Sequence, residues 1–148
     1  MTQMTASKAV EQLNSLLRGE ISAAETYRVA IDKVDGSRPA ERDTLGQISR
    51  EHGEHAQKLR AEIRRLHADP DDSSGAWGAW ARSVEAVSTL FGDSSALKAL
   101  KEGEEHGLRE YREALDGLDG SARELVSGTM IPAQVRHIDV LDEMIGRS

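Results

Sequence analysis

The 148-residue sequence predicts an all-α protein: an antiparallel four-helix bundle of two helical hairpins, joined by a long crossover that carries an extra short helix. Three observations predict this fold class. Alanine, glutamate, arginine and leucine dominate the chain, and these residues favour helix. Apolar side chains recur at spacings of three and four, whereas alternation rich in β-branched residues is absent. Finally, only three prolines interrupt these patterns. By length, residues 1–148 are expected to form a single domain.

The first hairpin is predicted from two long amphipathic stretches on either side of a tight turn. The first helix is expected from about Thr5 or Ser7 to Val34, where the glycine and proline of segment 35–39 end it. The second helix is expected over 39–67, because a proline in the first turn lacks only an N–H that would be unpaired there anyway.

The connection between the hairpins is predicted to contain an acidic linker, 68–75, and a short helix. Trp77, Trp80 and Phe91 fall at helical spacing on one face of that helix. We interpret this face as packing onto the bundle, with an oligomer contact as the alternative if the face is exposed. A long crossover between the second and third helices is one of the ways in which four-helix bundles are connected.

The second hairpin is predicted from helices over 94–117 and 122–145. Ser121 and Glu124 fit a capping box at the start of the last helix. Pro132 lies within that helix and removes a backbone donor, so we expect a kink there.

The two hairpins look like copies of one another. The matching residues are Gly19, Glu20 and Tyr27 in the first hairpin and Gly103, Glu104 and Tyr111 in the second. On the next helix of each hairpin a histidine follows, His55 in the first and His137 in the second. The repeat indicates a bundle built by duplication, with polar groups directed at its centre.

Each predicted helix interrupts its apolar stripe with polar residues near its middle. In helix order these residues are Glu20 and Tyr27, His52 and His55, Glu104 and Tyr111, and Gln134 and His137. Burying such groups costs several kcal/mol unless they are paired or bound to metal, and glutamate and histidine layers at this depth form the metal sites of bundle cores. The layer therefore predicts either a metal site or a hydrogen-bonded layer without metal. The tyrosines are interpreted as core residues whose hydroxyls find a partner.

These residues resemble the ferritin-like superfamily. Segment 13–27 is similar to the first helix of bacterioferritin in its spacing of leucine, glutamate and tyrosine. Over nearly its full length the chain is more similar to a bacterial family of unknown function within that superfamily, described as four-helix-bundle proteins, which shares the acidic linker and a run like that at 111–115. The resemblance implies a ferritin-like fold and self-association as a homodimer.

The resemblance also implies which residues would bind metal. The superfamily pattern is a glutamate followed by Glu-x-x-His, repeated twice. The positions that correspond to its ligands are Glu20, His52, His55, Glu104, Gln134 and His137. His52 and Gln134 stand where ferritin-type sites have the glutamates that bridge two metals, and this departure argues against a two-iron ferroxidase centre. A mixed carboxylate and imidazole set suits a single ion of zinc, iron, nickel or copper. We expect iron or zinc, with a weakened two-metal site as the alternative.

Two neighbouring positions bear on the same site. Glu51 could offer a substitute carboxylate, although it falls at the edge of the stripe. Gly53 stands where bacterioferritins have their haem-binding methionine, so no haem is expected.

Composition excludes several function classes. The chain has no cysteine, which excludes disulfides and thiolate metal sites. A net charge of −7 argues against nucleic acid and anionic membrane surfaces. Neither a membrane-spanning run nor a signal peptide is evident, so a cytoplasmic location is expected. A hydrolytic enzyme is the least favoured class, since no nucleophile motif or glycine-rich phosphate loop is present.

Overall fold

The computed structural model describes residues 2–34, 38–75 and 78–147. Its helices are α1 (Thr2–Lys33), α2 (Pro39–Arg65), α3 (Gly78–Phe91), α4 (Asp93–Ala114), α5 (Gly120–Leu125) and α6 (Ile131–Arg147). A 3₁₀ turn, Leu115–Gly117, follows α4, and a π-helical turn, Val126–Met130, joins α5 to α6 without a break. No strand occurs in these ranges. The four long helical rods (α1, α2, α4 and 120–147) and the crossover helix α3 confirm the predicted all-α bundle.

The first hairpin, α1 with α2, contains the largest helix–helix contact of the bundle. α1 begins at Thr2, about a turn earlier than predicted, in a stretch that has no glycine or proline to stop a helix. α2 begins at Pro39, as predicted. The predicted turn at 35–37 lies outside the described residues.

The crossover helix α3 lies across α1 and α4. Val84 is fully buried, and Trp80 packs against the apolar core around it. The predicted packing face is thus present at these two residues, whereas Trp77 and the side chain of Phe91 lie outside what the structure describes.

The last rod differs from the prediction at its start and near Pro132. Its first helix starts at Gly120, so Ser121 lies inside the first turn, and the predicted capping box is wrong. The hydroxyl of Ser121 instead donates to Oε2 of Glu62 on α2, at 2.9 Å. Where a kink was predicted at Pro132, the structure has a π-helical turn just before it, because a proline cannot donate to the carbonyl four residues earlier and its ring crowds that carbonyl.

The core of the bundle consists of two apolar clusters. The first includes Leu13, Leu17, Leu59, Ile63, Tyr111, Val126 and Met130. The second includes Tyr27, Leu45, Ile48, Val84, Leu97, Leu100, Leu141 and Met144. The buried polar residues predicted from the interrupted stripes separate the two, so the candidate site is enclosed by apolar side chains at both ends of the bundle.

Candidate metal centre

All six residues at the positions implied for metal ligands are buried, and both carboxylates are completely enclosed, with 0% exposure. α1 contributes Glu20, α2 contributes His52 and His55, α4 contributes Glu104, and α6 contributes Gln134 and His137. The spacings of three and four along the apolar stripes direct these side chains to the same face as the core leucines. Burial of this set requires mutual contacts or a bound cation.

His52 lies at the centre of the layer and joins its two carboxylates. Its Nδ1 is 2.6 Å from Oε2 of Glu20, and its Nε2 is 2.7 Å from Oε1 of Glu104. Carboxylates accept hydrogen bonds, so both ring nitrogens donate and the ring is an imidazolium. Burial acts to lower the pKa of His52, but Glu104 and Glu20 outweigh it and hold that pKa well above its ordinary value of 6.5.

Glu104 is the most highly connected carboxylate of the site. Besides His52, its Oε1 accepts the hydroxyl hydrogen of Tyr27 at 2.6 Å. Burial acts to raise the pKa of Glu104, but the positive charge and hydrogen bond of His52, together with the nearby imidazole of His137, hold it far below the usual range. Burial, together with the adjacent Glu104, raises the pKa of Tyr27, so its hydroxyl stays protonated and donates. The expectation that Tyr27 is a core residue with a hydroxyl partner is confirmed.

The two repeat histidines face the carboxylates at longer range. Nδ1 of His55 is 3.9 Å from Oε2 of Glu20, and Nδ1 of His137 is 3.6 Å from Oε2 of Glu104. Burial lowers the pKa of His55, which favours the neutral ring that binds metals. Both distances exceed a hydrogen bond but suit two ligand atoms of one ion, because metal–ligand bonds of about 2 Å place neighbouring ligands roughly 3–4 Å apart.

Several buried ligand atoms of the layer find no hydrogen-bond partner among the described residues. These are Oε1 of Glu20, Oε2 of Glu104, and Nδ1 of both His55 and His137. Glu20, His52 and His55 present ligand atoms within 4.8 Å of one another, and so do His52, Glu104 and His137. The donor set thus has spare coordinating capacity of the chemical type that zinc and iron accept.

Gln134 makes a different contact from the one implied by its position in the pattern. Its Nε2 donates to the main-chain oxygen of Glu104 at 3.0 Å. It also lies against Gly107, where an added Cβ would be 2.8 Å from the same nitrogen. Gln134 therefore ties α6 to the backbone of α4 beside the site, rather than directing its amide nitrogen at the carboxylates.

Two further features border the site on opposite sides. Glu51 lies at the edge predicted for it, 34% exposed, with Oε2 3.4 Å from Nε2 of His137 and with Oε1 accepting from Arg136 at 2.9 Å. Trp80 covers the other side, so close to Gly103 that an added Cβ would lie 2.1 Å from its ring. No sequence pattern pointed to Arg136. For Trp80 the signal was Gly103, beside Glu104 in the repeat, because a glycine on a buried helix face leaves room for a large ring.

The helical rods and the buried layer between them define a bundle with a ferritin-like fold. More specifically, the chain belongs to the family described as Domain of unknown function (DUF2383), whose model matches residues 8–117. No curated protein matches the chain.

Two solved structures share the fold. One, a ferritin-like diiron-carboxylate protein from Bacillus anthracis str. Ames, has a TM-score of 0.77 at 19% identity, covering 95% of this chain and 97% of that one. The other is a DPS protein from Vibrio cholerae O1, a member of the ferritin-like diiron-carboxylate superfamily, with a TM-score of 0.60 at 16% identity, covering 97% and 88%. At these identities the likeness shows the fold alone. None of the described helices is long and apolar enough to cross a membrane.

Proposed function

We propose that this protein binds one divalent transition-metal ion, iron or zinc, in the buried layer between its two apolar clusters. The ion would be held by ligands drawn from Glu20, His52, His55, Glu104 and His137. The observation that carries the proposal is the group of buried carboxylate and imidazole atoms that lack a hydrogen-bond partner among the described residues. Leaving a buried polar group unpaired costs about 1–3 kcal/mol, and a cation would relieve several such groups at once.

Charge balance favours one ion over two. The layer holds two carboxylates, Glu20 and Glu104, and a divalent ion with neutral histidines balances them. Two divalent ions would leave an excess of two positive charges in a site without exposure to water, and uncompensated buried charge is strongly unfavourable. The residues at the bridging positions, His52 and Gln134, bring no negative charge to offset it. This is why we propose a one-metal site, although the similar Bacillus anthracis protein is described as a diiron-carboxylate protein.

A bound iron or zinc ion would supply Lewis acidity and, for iron, redox capacity. This chain's own residues would orient and enclose the ion. Tyr27 and His52 hold Glu104 from one side, and Gln134 holds the backbone that carries it. The apolar clusters exclude water from both ends. If His52 is one of the ligands, it must first release one of its two ring protons, because a metal ligand must offer a free lone pair.

Metal content and metal-dependent stability test the proposal. Untagged protein purified without chelator is expected to contain close to one iron or zinc per chain. Metal at about 100 times Kd adds about 2.7 kcal/mol of stability, which raises Tm by about 5–10 °C for a domain of this size. Substoichiometric metal together with an unchanged Tm on adding either ion would refute the proposal.

Substitution of the two repeat histidines tests whether the buried layer is responsible for the metal-dependent rise in Tm. His55→Ala combined with His137→Ala is expected to abolish the metal-dependent rise in Tm. His106→Ala is the matched control, because this histidine is on α4, 53% exposed at its side chain, and outside the layer. The control is expected to keep the full rise.

One observation favours a second candidate function, a metal-free bundle with a structural or stress-related interaction role. His52 already satisfies one oxygen of each carboxylate with short hydrogen bonds, so the core is partly compensated without metal. If this alternative is correct, adding metal leaves the Tm of the wild-type protein unchanged.

Homodimer formation and a cytoplasmic location, both expected from the sequence, stay predictions. Light scattering of the purified protein tests the first.

A further inference from the structure

The two sides of the buried layer are closed in different ways. On the side of α1 and α4, the crossover helix covers the bundle: Trp80 stacks edge-to-face on Tyr27 with ring centroids 6.3 Å apart, and its Nε1 donates to the main-chain oxygen of Ala99 at 3.1 Å. Its ring also fills the space above Gly103. On this side the packed indole of Trp80 therefore blocks the approach of a hydrated cation to the layer.

On the opposite side, an ion pair between Arg136 and Glu51 joins α6 to α2. These two helices approach each other less closely than the helices within each hairpin, and α3 packs on α1 and α4 instead. The groups that span this α2–α6 seam are Glu51 from α2 and the adjacent Arg136 and His137 from α6. The Glu51 carboxylate uses one oxygen for Arg136, whose side chain is 63% exposed, and turns the other toward His137.

His137 connects this surface pair to the buried layer. Its Nε2 faces Oε2 of Glu51 at 3.4 Å, and its Nδ1 faces Oε2 of Glu104 at 3.6 Å. The ring is itself buried, and its Nδ1 has no hydrogen-bond partner in the part of the chain that the structure describes. A carboxylate at the surface, an imidazole, and a buried carboxylate thus follow one another from solvent to the centre.

We propose that Glu51 and Nε2 of His137 form an outer cation-binding site at the α2–α6 seam, through which divalent ions enter the buried layer. In the metal-free protein Arg136 pairs with Glu51, and an incoming cation displaces the guanidinium of Arg136 from this carboxylate. The ligand class is a hydrated divalent transition metal, since carboxylate and imidazole together suit that class. The inference rests on the proposed function, because it describes how the ion reaches the same centre.

The proposal predicts opposite effects for the two members of the surface pair. Glu51→Gln removes the capturing charge while keeping the shape, so the rate constant for metal loading is expected to fall by about tenfold or more, the lower range of electrostatic steering effects. Arg136→Gln frees Glu51 from its competing cation, so loading is expected to become faster. The double variant is expected to load as slowly as Glu51→Gln alone.

The experiment is stopped-flow loading of metal-free protein with Co²⁺, followed by absorption, together with an equilibrium titration of each variant with Zn²⁺. Lys101→Gln and Asp142→Asn are matched controls, because this ion pair joins α4 to α6 away from the layer. Both controls are expected to load at the wild-type rate. Thermal unfolding of each metal-free variant checks that it is folded.

The outcomes separate the two proposals. Acceleration by both Glu51→Gln and Arg136→Gln means that the pair merely closes the seam, and it overturns the outer site. Unchanged rates in both variants, with one ion still bound at equilibrium, overturn the outer site but leave the proposed function standing. Wild-type protein that binds none of Co²⁺, Zn²⁺ and Fe²⁺ overturns both.

Discussion

Nε2 of His52 lies 2.7 Å from Oε1 of Glu104, and that same oxygen accepts the hydroxyl hydrogen of Tyr27. Two donors on one carboxylate oxygen, with a second carboxylate at the far nitrogen of His52, make the imidazolium an internal counter-ion for the metal-free core. His52 thus supplies positive charge at a position where the resemblance implies a negatively charged glutamate.

Removing this counter-ion is expected to destabilise the metal-free protein. His52→Ala leaves Glu20 and Glu104 buried without a cation between them, and breaking a buried ion pair in this way costs about 3–5 kcal/mol. Urea unfolding in the presence of a chelator measures the change. His106→Ala, on the surface, is expected to stay within about 0.5 kcal/mol of wild type. A loss of the same small size for His52→Ala would contradict the role assigned to its charge.

The stability of the metal-free protein is expected to depend on pH through the same residue. The pKa of His52 is raised in the folded state above its ordinary 6.5. Its contribution is therefore fully present below about pH 6.5 and is lost as pH rises through the folded value. Free energies of unfolding measured from neutral to about pH 10 are expected to decline for wild type. His52→Gln is expected to flatten that decline, and an unchanged slope would show that other groups cause it.

The repeat and the apolar stripes were sufficient to predict the bundle, its crossover helix and the burial of the six candidate ligand residues. The helical period determines the face on which a side chain lies, so Glu20 and Glu104 could be placed in the core from spacing alone. The period does not determine which rotamer a buried side chain adopts, nor which hydrogen-bond partner it reaches. His52 and Gln134 occupy matching positions in the pattern, yet the imidazole reaches two carboxylates with nitrogens on opposite sides of its ring, whereas the amide donates to a nearby main-chain oxygen.

Contacts between distant helices were also beyond prediction. Glu51 and Arg136 are 85 positions apart, and their pairing depends on how α2 and α6 pack. The π-helical turn before Pro132 adds to this difficulty, because one extra residue in a turn changes the direction of every side chain that follows. Sequence spacing could place Glu51 at the edge of the stripe but could not show which residue it meets.

The hydroxyl of Tyr27 is expected to contribute measurable stability through Glu104. Tyr27→Phe keeps the ring packing but removes a hydrogen bond to a charged acceptor, a loss of about 1.5–3 kcal/mol. Tyr111→Phe is the matched control, because this tyrosine of the repeat packs in the first apolar cluster. Denaturant unfolding of the two variants is expected to show the larger loss for Tyr27→Phe, and equal losses would argue against a special role for the Glu104 contact.

The cover formed by Trp80 is expected to depend on Gly103. In Gly103→Ala the new methyl group would lie 2.1 Å from the indole, so the ring must move, and overpacking of this kind costs about 1–3 kcal/mol. In Gly53→Ala the methyl group meets no described atom within 4 Å, so replacing a helical glycine is expected to stabilise the protein by roughly 0.5–1 kcal/mol. Free energies of unfolding are expected to fall for Gly103→Ala and to rise for Gly53→Ala. In a Trp77→Phe background, the fluorescence emission of Trp80 is expected to shift to longer wavelength only in Gly103→Ala, because the ring is displaced. A stabilising Gly103→Ala with unshifted emission would show that the indole does not seal this side of the layer.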